Sequence, residues 1–556
     1  MHAAVAGHGE AIERLLAAGA VVDTQDSIGW TALMYAAYGG HGEAIGRLLA
    51  AGADIAARNL ADLTAADIAE REANYDVVAL LVLPREALAT CTALRKAIQE
   101  NDVEKVQELR SSAPLDIRRW VLRVYCESRR CGRRLRWLRV RRSFLFEDLV
   151  EAVMDPSVCD ELWRGHPPPH LHTDLALHTS TLHPPPNSIL ALISIQPAGF
   201  AVKFVGEPGV DEGGLTREMF EIFAAELASK RRGLFRLVKA EDASMGYKSS
   251  ALEPEPCSIL DASRGEVRVS PTIRQTLELY RACGRVTALA LATGNLVETF
   301  ARFHLKGVLG DNEMTMEDLK VEDPALARTL GCVLTTPLEE LGVEPSFSCT
   351  INSSEEVLGM LHTVDLVPGG SEIDVNDGNK ADWVEKLIQH KLGGCIAEQT
   401  DAFRMGMLDV LPEAALQLFD SEELQKELSG DGLDSMDKSR LEKTVGHWKK
   451  HTEHEGGYTP ESRVCKWFWE LILEKGSNCS AGKLLRFVTG RSRISEAGFE
   501  ALRPRFCIVH AGKEEEALPS AATCLNLLRL PEYSSKEKLR EKLSYALENG
   551  GGYWTA

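Results

Sequence analysis

Apolar positions in the first hundred residues fall in short helical blocks separated by glycine turns, and they repeat. The run "LLAAGAVVDTQDSIGWTALMYAAYGGHGEAI" (15–45) leads into "RLLAAGADIAARNLADLTAADIAE" (47–70), and Gly19 answers Gly52, Thr31 answers Thr64 and Ala36 answers Ala69 at a period of 33. Each unit predicts a helix with small alanines on one side, a turn at Gly39 and Gly40, and a second helix with Leu48 and Leu49 before a glycine. Two such short helices cannot bury their apolar face alone, so the units must stack.

The period and these residues resemble the ankyrin repeat. Ala3 and Ala4 align with Ala36 and Ala37, so the first unit reads as truncated. A divergent last unit is expected in "LRKAIQENDVEKVQEL" (94–109), with Ala97, Val106 and Leu109 in the places of Ala36, Ile45 and Leu48. The repeats are assigned to 1–112.

Periodicity then gives way to charge. Residues 118–142, "RRWVLRVYCESRRCGRRLRWLRVRR", interleave tryptophan with arginine and read as an Arg-rich linker over 113–138. A phosphate- or RNA-binding patch is one reading. The favoured one is a helix on which Trp120, Leu135 and Leu138 pack while the arginines are solvated or pair with the chain's own carboxylates. Residues 155–198 are rich in proline and histidine and keep neither helical nor strand period, which marks an insertion. His166, His170, His172, His178 and His183 are spaced too irregularly to fix a metal geometry. From 200 onward, amphipathic helical windows alternate with short β-branched strands, giving an α+β unit richer in helix.

Composition narrows the setting. The 556 residues are 44% hydrophobic and carry a formal charge of −19, which disfavours bulk attraction to nucleic acid or an anionic membrane. No apolar run is long enough to cross a bilayer. The 13 cysteines are scattered, with no Cys-x-x-Cys, so a disulfide framework and a zinc ribbon are both disfavoured. A cytoplasmic or nuclear location with reduced thiols is expected.

Phosphate-loop, dinucleotide, nucleophile-elbow and His-Glu-x-x-His motifs are all missing, so no cofactor and no metal are expected. A thiolate can carry an acyl group without either. Among the cysteines, Cys524 stands out by its surroundings: "GKEEEALPSAATC" before it is polar and broken by proline, and "LNLLRL" after it reads as a short strand closed by Pro531. Cys283 and Cys465 lie in apolar helical windows and read as core. A strand-edge structural cysteine remains the alternative for Cys524 on these grounds.

Several motifs in fixed order connect this cysteine to a family. They are "VRRSFLFEDL" (140–149), "VKFVGEPGVDEGGLTREMF" (202–220), "YRACGRVTALALATGNLV", "VEDPALARTL", "DAFRMGMLDVLP", "GGYTPESRVCKWFWELI", "LRFVTGRSRI" and "LPEYSSKEKLREKL". Over roughly 136–556, apart from the insertion, the chain resembles the HECT-type ubiquitin ligases. The resemblance implies a two-lobed α+β catalytic domain after the all-α ankyrin solenoid, with an N-lobe over 139–440 and a C-lobe over 441–556.

It also implies roles. Cys524 matches the catalytic nucleophile that takes ubiquitin as a glycyl thioester from a ubiquitin-conjugating enzyme and delivers it to a substrate lysine, the ankyrin repeats recruiting the protein substrate. Thr523 and Asn526 match the motif and are expected to shape the turn. Where many members have histidine before the Thr-Cys pair, this chain has Ala522, which leaves the general base unassigned.

For the conjugating-enzyme groove, the resemblance points to Leu330 and Leu334 and to Trp383 and Leu387, each pair presenting an i, i+4 stripe. Ordinary core packing is the alternative, with Trp383 the more informative as an aromatic on an otherwise polar helix. Residues 433–450 are polar and follow Gly430 and Gly432, so a hinge is expected near 440. Tyr553, four residues from the end of the sequence, stands where the family places an aromatic that anchors the tail. A catalytically inactive binding scaffold of the ubiquitin pathway is the alternative function.

Overall fold

A computed structural model of the chain describes residues 1–154 and 200–549 apart from short gaps, the longest being 129–135, 206–213, 255–270 and 353–360. The insertion 155–198 and Tyr553 lie outside the described residues. The chain divides into two compact units, one of Met1–Leu135 with Pro412–Phe419, the other of Arg136–Leu162, Phe200–Leu411 and Asp420–Ala556.

In the first unit the repeat logic becomes helix pairs: His2–Val5 with Gly9–Ala17, Ala32–Tyr38 with Gly42–Ala50, and Ala65–Arg71 with Tyr75–Val82. Alanines 4, 36, 37, 44, 65 and 69 are buried with Leu33, Ile45, Leu48 and Ile68, because only small side chains let neighbouring pairs close up. Thr31 caps its helix by accepting from the Met34 amide, and Asp26 accepts from the Ile28 and Trp30 amides and, at 2.6 Å, from the Tyr35 hydroxyl. Polar side chains also join one unit to the next at the same repeat position: a His41 ring nitrogen lies 2.9 Å from the Val5 carbonyl oxygen, and Asn74 Nδ2 donates to the carbonyls of Ala37 and Tyr38.

Beyond the third pair, Arg85–Glu100 and Val103–Arg110 form another pair, with Ala97 and Val106 buried and Leu109 half-buried. Its first helix has 16 residues where the second and third pairs have 7, so its divergence is one of length as well as sequence. Leu115–Ser128 is a further helix of this unit, packed on Arg85–Glu100, which corrects the reading of 113–138 as a linker. Val121, Leu122, Val124 and Tyr125 are buried, and Arg118 is buried with Nε on the Ala113 carbonyl and Nη1 on the Leu418 carbonyl at 2.6 Å. Arg110 donates to the Gln417 and Phe419 carbonyls. Arg118 of the basic stretch, and Arg110 before it, are thus spent on carbonyls at the end of the short helix Glu413–Leu416. Trp120 packs as expected, Leu135 lies outside the described residues, and Leu138 belongs to a strand instead of that helix.

The second unit begins with that strand, Arg136–Val140, paired in parallel with Phe200–Phe204 across the insertion. Its long helix Pro271–Thr293 crosses Ala397–Val410 backbone to backbone. A Cβ at Gly284 would collide with the Phe403 carbonyl oxygen and one at Gly406 with the Arg281 carbonyl oxygen, so glycine is required at both. Asp409 takes Arg281 in a two-pronged bond and Arg285 beside it. A separate cluster gathers Met316–Glu322, Pro324–Thr335 and Lys380–Leu392 around Leu319, Leu330, Val384 and Ile388.

The last part has its own core, from Leu433 to Leu543, around a four-stranded sheet in the order Ser520–Ala522, Leu527–Leu530, Cys507–His510, Glu453–Glu455. Helix Lys438–Lys450 crosses the expected boundary at 440 without a break. Asp437 caps it, and Val445 and Trp448 are buried in this core, so 440 is not a free joint. The chain turns instead at Gly430, whose φ of +60° and close approach to Ile494 O and Leu296 Cδ1, 2.6 and 2.7 Å from a notional Cβ, admit only glycine.

Candidate active site

Cys524 sits in the middle of a one-turn 3-10 helix, Thr523–Leu525, between the antiparallel strands Ser520–Ala522 and Leu527–Leu530. Its side chain lies outside the described set. Asn526 ends the turn in the left-handed region, φ +48° and ψ +41°, a conformation that asparagine tolerates better than most residues. Its side chain is buried and used at both ends: Nδ2 donates to the Pro504 carbonyl at 2.6 Å, and Oδ1 accepts from Arg217 Nη1 at 2.8 Å. The Asn526 carbonyl accepts from the Cys507 amide, tying the turn to the central strand. Thr523 is half-buried, and Ala522 puts only a methyl group where a base would stand.

Burial works against six of the other thiols. It pushes Cys465 and Cys395 up to about 11 and Cys507 up to about 12, and raises Cys283, Cys349 and Cys479 as well. Such groups stay protonated at neutral pH and are poor nucleophiles. Cys283 and Cys465 lie in the core, as their apolar windows predict.

Arg217, on helix Gly214–Leu227, donates from the same Nη1 to the Thr489 carbonyl at 2.9 Å. Arg491 Nη2 donates to Asn295 Oδ1, and Arg493 reaches Glu298 Oε2 at 2.7 Å and Thr299 Oγ1 at 3.0 Å. Three arginines therefore join the segments around 217 and 295–299 to the cysteine-bearing part. Burial first, and then the Arg217 charge, press the Arg491 guanidinium down to about 9, with Glu221 opposing; it remains a cation at neutral pH.

With this geometry in place, sequence comparison decides the family. The model of the HECT-domain (ubiquitin-transferase) family matches residues 221–556, more than half of the chain. The chain belongs to the HECT-domain family. Ankyrin repeats, three copies, match residues 1–91, a shorter stretch than the 1–112 expected. Among curated relatives, the E3 ubiquitin-protein ligase HACE1 of Homo sapiens is 32% identical over 365 residues, 64% of this chain and 36% of that protein. HACE1 of Danio rerio is 32% identical over 366 residues, again 64% and 36%, and E3 ubiquitin-protein ligase pub1 of Schizosaccharomyces pombe is 30% identical over 357 residues, 63% and 42%. The chain spans little more than a third of the length of the HACE1 proteins.

Of the four residues expected to line the groove, Leu330, Trp383 and Leu387 belong to one cluster and Leu334 lies exposed outside it. Leu330 is only 2% exposed and belongs to the core beneath the helix surface, whereas Leu334, one turn on, is 38% exposed. Trp383 and Leu387 are half-buried against the same core, and Trp383 Nε1 is enclosed without a hydrogen-bond partner. The tryptophan is thus a part-exposed residue packed on the core, not a ring standing free of the helix. Arg217 was missed in the sequence: a lone arginine in "GGLTREMF" gives no sign that it meets a residue 309 positions away.

Proposed function

We propose that the chain is a ubiquitin-protein ligase that takes ubiquitin from a conjugating enzyme as a thioester on Cys524 and passes it to a substrate lysine. The observation that carries this reading is the Thr523–Leu525 turn, closed by the hydrogen-bonded Asn526 between two strands, while six other thiols are raised by burial. In the first step the Cys524 thiolate attacks the thioester carbonyl, and the conjugating enzyme's cysteine leaves as thiolate. Exchanging one thioester for another is close to isoenergetic, so placement governs the rate. In the second step the lysine amine attacks, a C–N bond replaces the C–S bond, and the amine's proton leaves to a base other than residue 522.

Leu334 with the part-exposed Trp383 and Leu387 forms the apolar contact for the conjugating enzyme, with Leu330 supporting it from below. Thr523 and Asn526 shape the turn, and Tyr553 anchors the tail during transfer. The ankyrin repeats recruit substrate. Val21, Ile28 and Leu60 at their loop tips are 75%, 51% and 81% exposed, an apolar fringe suited to a protein partner. A cytoplasmic or nuclear setting, where thiols stay reduced, fits this chemistry.

Autoubiquitination with activating enzyme, conjugating enzyme, ATP and ubiquitin tests the reading. Conjugates that depend on the chain support it; binding of a charged conjugating enzyme without discharge supports the inactive scaffold instead.

A further inference from the structure

Helix Gly214–Leu227 packs near the cysteine's turn, and from it Arg217 bonds to Asn526, which closes the turn, and to Thr489. One guanidinium nitrogen serves two acceptors of different kinds. The Thr489 carbonyl ends helix Ala481–Thr489, where the last carbonyls carry partial negative charge. Asn526 Oδ1 belongs to the residue that holds the turn in its left-handed close. Because Asn526 Nδ2 is committed to Pro504, its amide has one orientation, and its oxygen is presented to Arg217.

Arg491 lies close enough to Arg217 for the two cations to repel, and its enclosed Nε has no hydrogen-bond partner. Glu221, one turn beyond Arg217 on the same helix, offsets part of that repulsion. Arg217 thus makes two directed bonds beside a neighbouring like charge. An arginine held in this way defines where the turn sits relative to helix Gly214–Leu227.

We infer that Arg217 is a positioning residue for ubiquitin transfer: through Asn526 and Thr489 it holds the Cys524 turn in the arrangement from which the thioester is passed to lysine. The inference rests on the thioester reading of Cys524. The two chemical steps should depend on it differently. In the first, the bound conjugating enzyme itself presents the thioester to the cysteine. In the second, that enzyme no longer templates the reaction, and orientation must come from the chain's own contacts, where small displacements are costly.

The test uses the full chain in single-turnover assays that follow formation of the reductant-labile ubiquitin adduct and its discharge to free lysine separately. Arg217→Ala should slow discharge about tenfold and leave adduct formation within about twofold. A second variant, Asn526→Gly, removes the amide while keeping a residue at ease at positive φ. In that background Arg217→Ala should slow discharge by no more than about threefold, because one of its two acceptors is already gone. An effect of the same size in both backgrounds, a loss shared equally by the two steps, or faster adduct formation in Arg217→Ala would overturn the inference. Failure of the wild-type chain to form any adduct would instead remove the thioester reading on which it stands.

Discussion

Trp448 lies flat on Phe499, ring centroids 4.4 Å apart and planes 8° from parallel, with Trp469 and Phe506 meeting Trp448 at an angle. The stack fixes helix Lys438–Lys450 to the cysteine-bearing core, in a stretch whose polar sequence reads as a hinge. Trp448→Ala should lower stability by about 3–5 kcal/mol, the range for truncating a large buried aromatic. Denaturant unfolding, reported by a lower midpoint with unchanged slope, measures it.

Leu330 and Leu334 share a helical stripe but not a role. Leu330→Ala should cost about 2–4 kcal/mol of stability. Leu334→Ala should leave the unfolding midpoint within about 0.5 kcal/mol and slow charging of Cys524 by the conjugating enzyme. Thermal melts and single-turnover charging on the two variants separate the effects.

Asp409 provides a pH test. Burial alone would raise its carboxyl, but bonds from Arg281 and Arg285 outweigh burial and hold it below its usual value of 3.8. A carboxylate depressed in the folded state adds stability above its unfolded pKa and loses it as pH falls through the folded value. Asp409→Asn should therefore cost about 2 kcal/mol at pH 7, less than a fully enclosed pair because Arg281 reaches solvent. The gap should begin to narrow as pH falls below about 4. Urea midpoints of both proteins between pH 3 and 7 check it.

Much of this was legible in the sequence where a pattern repeats or a motif is local. The 33-residue period foretold the alanine-lined helix pairs, and the polar run before Cys524 foretold a turn ahead of a strand. Depth was not legible: the i, i+4 spacing of Leu330 and Leu334 names a face but cannot say that one lies beneath it. Nor was the helix at 438–450, whose two buried residues are outnumbered by charged ones. Gly284 and Gly406 look like weak points in helices, and only the crossing explains them. Arg217 and Asn526 are joined by folding alone.

Residues 553–556 provide a prediction from the family resemblance. The resemblance places a tail-anchoring aromatic at Tyr553, in the sequence "GGGYWTA" that follows Asn549. Removing 553–556 should leave adduct formation near normal and slow discharge to lysine at least tenfold, about 1.4 kcal/mol of transition-state stabilisation. Equal loss in both steps, read in the same single-turnover assays, would indicate damage to the fold.

The central claim is that Cys524 carries ubiquitin. Mixing the chain with a ubiquitin-charged conjugating enzyme and resolving the products with and without reductant tests it most directly. The wild-type chain should give an adduct that reductant removes. Cys524→Ser should give either an adduct that survives reductant or none, and Cys524→Ala should give neither adduct nor ubiquitin chains. Ubiquitin chains still built by Cys524→Ala would contradict the claim.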